Sequence, residues 1–120
     1  MKRFEHIDAA SVNEAGRLLE SPGTAAIAGG TDLLGVLKDK IMPQYPETVV
    51  NLKTIPGLSY IKEEEGTIRI GALTKLSQLE DSELLKKTCV SLAEAARSVA
   101  SPLIRNSATI GGNICQDVRC

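Results

Sequence analysis

The chain has 120 residues, 42% of them hydrophobic and 24% charged, with a formal net charge of -1, a composition that suits one hydrophobic core, or one small domain and the beginning of a second. Near-neutral charge and an aromatic content of 2% without Trp argue against nucleic acid as a partner, because neither a basic footprint nor stacking rings are on offer. The opening Met1-Lys2-Arg3-Phe4-Glu5-His6 lacks the apolar run of a signal peptide, no segment reaches membrane-spanning length, and Cys89, Cys115 and Cys120 form an odd set; the expectation is a reducing, cytoplasmic compartment with no membrane association.

Ser11 to Glu20 places Val12, Ala15, Leu18 and Leu19 at helical spacing, with Ser11 as N-cap and Glu14 completing a capping box. Ser21-Pro22-Gly23 ends that helix, and Ala25-Ala26-Ile27-Ala28 reads as a short buried strand. The Gly29-Gly30 turn then leads into a second helix over Asp32 to Lys40. Pro43 and Pro46 break the following stretch, Thr48 to Leu52 reads as a strand, and Ile55-Pro56-Gly57-Leu58 as a turn. Leu58 to Lys62 and Thr67 to Ile70 alternate apolar and polar residues about Glu63-Glu64-Glu65-Gly66, the pattern of a half-exposed hairpin.

Beyond Gly71 the pattern turns helical: near Thr74 to Leu79, near Ser82 to Lys86, and strongly from Cys89 to Ala100, with Leu92, Ala93, Ala96, Val99 and Ala100 as the buried stripe. That helix is expected to halt at Ser101-Pro102, since proline disfavours helical geometry in the residue before it. The change of pattern divides the chain into a first subdomain, 1–70, and the start of a second, 71–120. The fold class is α+β.

Two glycine pairs stand out, Ala28-Gly29-Gly30-Thr31-Asp32 and Thr109-Ile110-Gly111-Gly112-Asn113. Glycine lets the main chain turn tightly and lets a ligand approach it, so both loops could offer N–H groups to a diphosphate. The bland alternative is a capped turn before a helix for the first and a glycine turn into a strand for the second. Neither is a G-x-G-x-x-G fingerprint or a P-loop. Asp32, being negative, should cap backbone or bind a hydroxyl rather than touch phosphate. Arg105 has two readings, a counter-charge to pyrophosphate or a surface ion pair. His6, the single histidine, has no catalytic or metal-binding companion nearby and fits surface or edge packing. Cys89 reads as a small buried hydrophobe. Cys115 and Cys120 have the C-x4-C spacing that opens some iron–sulfur loops, but two thiols cannot complete a cluster, and free thiols are the other reading.

Taken together, Ala28-Gly29-Gly30-Thr31-Asp32-Leu33-Leu34, Asn51-Leu52 with Ile55-Pro56-Gly57-Leu58, Ile68-Arg69-Ile70-Gly71-Ala72-Leu73-Thr74, and Ile104-Arg105-Asn106 with Ala108-Thr109-Ile110-Gly111-Gly112-Asn113 resemble the FAD-binding subunit of molybdenum hydroxylases, the xanthine dehydrogenase and carbon monoxide dehydrogenase family. The resemblance implies an α+β FAD-binding fold, with a small mixed sheet and helices followed by a helix-rich second subdomain. In it FAD lies extended between the subdomains, its pyrophosphate held by both glycine loops. It implies a first cofactor-binding segment of Ile27, Ala28, Gly29, Gly30, Thr31, Asp32, Leu33 and Leu34, and a second of Thr109, Ile110, Gly111, Gly112 and Asn113. It also implies electron transfer through FAD between iron–sulfur clusters and an acceptor or donor, beside a molybdopterin-containing large subunit and a 2Fe–2S small subunit. Substrate chemistry would take place on the large subunit, so no catalytic acid, base or nucleophile is expected in this chain.

Asn113 to Cys120 is most similar to the 4-hydroxybenzoyl-CoA reductase branch, which implies Cys120 as a ligand of an additional 4Fe–4S cluster. Subunits of the family are more than twice as long, which implies an N-terminal fragment of such a subunit. A binding or assembly module that keeps a nucleotide-diphosphate site without redox activity is the alternative function.

Overall fold

The computed structural model describes residues 1–117 and divides into two compact units, Met1–Pro56 and the chain from Gly57 onward. The first is a β-α-β-α-β run: β1 (Glu5–Asp8), α1 (Val12–Leu19), β2 (Thr24–Ile27), α2 (Leu33–Asp39) and β3 (Thr48–Asn51). Its three strands are all parallel in the order β1-β3-β2, with Glu5 opposite Thr48 and Thr24 opposite the same residue on the other side. The apolar pair Val49 and Val50 makes β3 the central strand, buried but for Thr48, and Ala9, Ala15, Ile27, Val36, Leu37 and Ile55 join them in the buried hydrophobic core of this unit.

Local signals account for the helix ends. Ser11 Oγ accepts the Glu14 N–H at 3.1 Å, and the Glu14 carboxylate accepts from the Ala10 N–H at 2.7 Å, one residue earlier than a capping box reaches. At the other end of the unit's helices, α2 stops at Lys40, which is left-handed at φ 57°, with the Ile41 N–H reaching back to the Val36 carbonyl at 3.4 Å. The strand β1 carries His6, exposed on the sheet edge with Nδ1 3.7 Å from Asp8 Oδ1.

The second unit opens with a hairpin, β4 (Ile61–Glu64) and β5 (Thr67–Ile70), followed by α3 (Leu76–Asp81), α4 (Glu83–Thr88), α5 (Val90–Ser98), α6 (Pro102–Arg105) and α7 (Ile110–Ile114). Glu65 and Gly66 both have positive φ, 51° and 76°, and form the two-residue turn that suits the twist of paired strands. The strand directions expected in one mixed sheet are thus both present but divided, parallel in the first unit and antiparallel in the second. The hairpin, counted by its sequence pattern with residues 1–70, clusters with the helices instead. Ile61, Ile68 and Ile70 pack against the core of Leu76, Leu79, Leu85, Ala93, Ala96 and Ala108, so burial of its apolar face assigns it.

Helix α5 ends at Ser98, before the expected stop, because Val99 already turns extended at ψ 121° and Ala100 follows left-handed at φ 44°. Cys89 precedes α5 at the edge of this core, partly buried, its Sγ 3.9 Å from Ser91 Oγ. Among the described residues, no helix is long and apolar enough to cross a membrane.

Candidate functional site

The first glycine segment leaves the carboxyl edge of the parallel sheet, where open α/β sheets bind their ligands. Ile27 closes β2 opposite Asn51, and its carbonyl accepts the Leu52 N–H at 2.9 Å. Ala28, Gly29 and Gly30 then carry the chain over that edge, all partly accessible, to an exposed Thr31. Gly30 has φ 74°, and a Cβ there would lie 3.1 Å from Leu34 Cδ1 and 3.3 Å from Ile27 Cδ1. Conformation and space both ask for glycine. The Gly30 carbonyl accepts from Leu34 N at 3.1 Å and so starts α2, with Asp32 at its N-cap but making no side-chain cap bond.

The same edge is tied by Asn51, which stood out in the sequence only as part of a family motif, and by Thr54, which no motif included. Asn51, 8% exposed, donates from Nδ2 to Asp8 Oδ1 at 2.7 Å and accepts the Lys53 N–H at 3.1 Å. Thr54 donates to the Ala9 carbonyl at 2.6 Å. A polar residue closing the apolar run Thr48-Val49-Val50 is the local sequence signal for its tying role.

The second glycine segment is helical, which corrects the reading of a loop or a turn into a strand. Thr109 is an N-cap whose Oγ1 accepts the Gly112 N–H at 3.2 Å, and Gly111 and Gly112 lie in the first turn of α7. Four successive amides are engaged within this unit: Ile110 to the Thr74 carbonyl at 2.9 Å, Gly111 to the Ala72 carbonyl at 2.9 Å, Gly112 to Thr109 Oγ1, and Asn113 to the Thr109 carbonyl at 2.9 Å. The amide-donor role read for this segment therefore competes with bonds already made. Outward, the segment presents the exposed Gly112 and the partly exposed Gly111 and Asn113. Gly111 also has a packing reason to be glycine, because a Cβ there would lie 2.8 Å from the Ala72 carbonyl oxygen.

Arg105 is neither of the things its position suggested. It is buried, 7% exposed, and its Nε donates to Glu80 Oε2 at 2.7 Å while Nη1 donates to the Val99 carbonyl at 2.9 Å. Cys115 is exposed at the end of α7, and Cys120 lies outside the described residues, as does the cluster reading built on it.

Residues 2–119 match the family model described as the FAD binding domain in molybdopterin dehydrogenase. The chain belongs to this family. Its fold is that of a carbon monoxide dehydrogenase from Hydrogenophaga pseudoflava that lacks the Mo-pyranopterin moiety, with a TM-score of 0.89 and 38% identity over 94% of this chain and 39% of that one. In sequence it is 40% identical to the nicotinate dehydrogenase FAD-subunit of Eubacterium barkeri, over 95% of this chain and 39% of the relative. It is also 40% identical to the carbon monoxide dehydrogenase medium chain of Hydrogenophaga pseudoflava, over 93% and 39%. The chain thus spans about two fifths of the length of these relatives. Family and α+β FAD-binding fold agree with the resemblance drawn from the glycine motifs.

Proposed function

We propose that the protein binds FAD through Ile27–Leu34 and Thr109–Asn113 and serves as the flavin-bearing, electron-transferring subunit of a molybdopterin-dependent oxidoreductase. The observation that carries this reading is the Ile27–Leu34 segment: an accessible chain reversal on the carboxyl edge of a parallel sheet, built around a left-handed glycine, in a chain of this family. Gly30 supplies the left-handed turn that brings the accessible main chain over the edge, and Thr31 supplies an exposed hydroxyl beside it. Asn113 adds an amide side chain from the second segment, where the α7 amides are bonded internally. When bound, FAD supplies a redox centre able to exchange electrons singly or in pairs. The chain's own residues hold and orient it.

In this reading the partners are a molybdopterin-containing large subunit, where substrate is transformed, and a 2Fe–2S small subunit, with FAD exchanging electrons between the clusters and an acceptor or donor in the cytoplasm. The relatives' names support it, being those of an FAD-subunit and a medium chain of dehydrogenases. Within the same proposal, the two FAD-binding subdomains are those drawn from the sequence, 1–70 and 71–120, with the hairpin before residue 71 packed on the helices of the second. Similarity to the 4-hydroxybenzoyl-CoA reductase branch makes Cys120 a 4Fe–4S ligand, a narrower claim that iron analysis of the full-length protein decides.

Purification of the full-length protein, alone and co-expressed with its large and small subunits, tests the reading. Flavin absorbance at one FAD per chain and co-elution of the three subunits are expected. Protein that stays colourless after incubation with excess FAD overturns it.

A further inference from the structure

We propose that Arg105 is a positioning residue for the second cofactor segment, Thr109–Asn113, acting through Glu80 on α3 and through the Val99 and Ala100 carbonyls that follow α5. This rests on the FAD reading given above and says how this chain sets the geometry of one of its two segments. Arg105 uses all three guanidinium nitrogens inside the unit: Nε to Glu80 Oε2 at 2.7 Å, Nη2 to Glu80 Oε1 at 3.4 Å, and Nη1 to the carbonyls of Val99 at 2.9 Å and Ala100 at 3.4 Å. The fork geometry is one that arginine offers and lysine does not. Its Nη1 thereby binds the two carbonyls that follow α5, those of the extended Val99 and the left-handed Ala100.

Those carbonyls flank the left-handed Ala100, the sharpest bend on the way to α6. Arg105 thereby fixes the bend, and the segment after it is stitched in short steps to one strip of backbone: the Ala108 carbonyl accepts from Leu76 N at 3.0 Å, Ile110 N donates to Thr74, and Gly111 N donates to Ala72. From Arg105 to Gly111 the chain is thus bonded to α3 at Glu80 and Leu76 and to Thr74 and Ala72 just before it. The glycine pair is placed by that run, with Arg105 as its anchor. Such a role explains why a buried arginine stands four residues before the cap of α7.

The test uses the full-length protein, with Arg105→Lys and Glu80→Gln as variants that keep side-chain bulk, and Glu83→Gln, which removes an exposed pair with Lys86, as control. Hydrogen exchange of the Ile110 and Gly111 amides is expected to speed up at least tenfold in Arg105→Lys, with amides of β3 unchanged. The FAD dissociation constant is expected to rise about tenfold in both variants and not in the control. A purely structural role would lower the denaturation midpoint of the FAD-free protein and leave the dissociation constant as it was. Unchanged exchange at Ile110 and Gly111 overturns the positioning role even where wild-type protein binds FAD. Wild-type protein that takes up no FAD overturns the cofactor reading instead, and the exchange result then reports on the anchor alone.

Discussion

Gly30 and Gly111 carry the same residue type for different reasons. At Gly30 the backbone is left-handed and two apolar side chains crowd the Cβ position, whereas Gly111 has ordinary helical geometry and is pressed against a neighbouring carbonyl oxygen. Gly71 is a third case, where a Cβ would run into the Leu58 carbonyl. Replacement of Gly111 by Ala is expected to destabilise, since overpacking costs about 1–3 kcal/mol and the helix preference of Ala over Gly returns only ~1 kcal/mol; urea denaturation reads the difference. Lys40 offers the opposite change. It is exposed and left-handed at the end of α2, so Lys40→Gly removes a strain of roughly 1 kcal/mol, and a raised thermal midpoint with unchanged FAD affinity is the expected result.

At the scale of elements, caps rather than propensity set the boundaries. Val12–Leu19 is short for an independent helix and depends on Ser11, so Ser11→Ala is expected to cost about 1 kcal/mol, seen as a lower urea midpoint and faster exchange in the first turn of α1. Ser82 and Ser101 cap α4 and α6 in the same way, accepting N–H bonds at 3.3 and 3.4 Å. These signals are local, which is why α1, α2, α5 and the hairpin were legible from residue order alone. Three short elements, β1, α6 and α7, were not. β1 has four residues, three of them exposed, and gains its place only by pairing with β3, a partner distant in the chain. α7 hides its helical character behind two glycines, the poorest helix formers after proline, and is held by Thr109 and by bonds to Ala72 and Thr74 that no local pattern announces. The candidate site was legible to the same degree: Ile27–Leu34 lies where a strand-to-helix junction put it, while the engagement of the Ile110–Asn113 amides and the commitment of Arg105 to Glu80 depend on contacts across the fold.

At the scale of the whole molecule, two units each keep their own buried core, Val49 and Val50 at the centre of one, and Leu76, Leu79 and Leu85 at that of the other. Neither core contains a ring system large enough to cover a flavin, with one Phe, two Tyr and no Trp in the chain. In the proposed binding mode, this chain meets FAD through main-chain and polar groups more than through aromatic stacking. A ligand that binds only the folded protein stabilises it in proportion to the logarithm of its concentration, by about 2.7 kcal/mol at one hundred times its dissociation constant. Thermal unfolding of the full-length protein against rising FAD is expected to follow that dependence, and Gly30→Ala, which strains the first segment, is expected to lower the midpoint without ligand and to flatten the response to FAD. ADP shares the diphosphate and adenosine but no flavin. A midpoint that rises with ADP and not with FAD would identify the chain as a nucleotide-binding module without redox function, whereas a larger rise with FAD than with ADP at equal concentration is the outcome that the flavin reading requires.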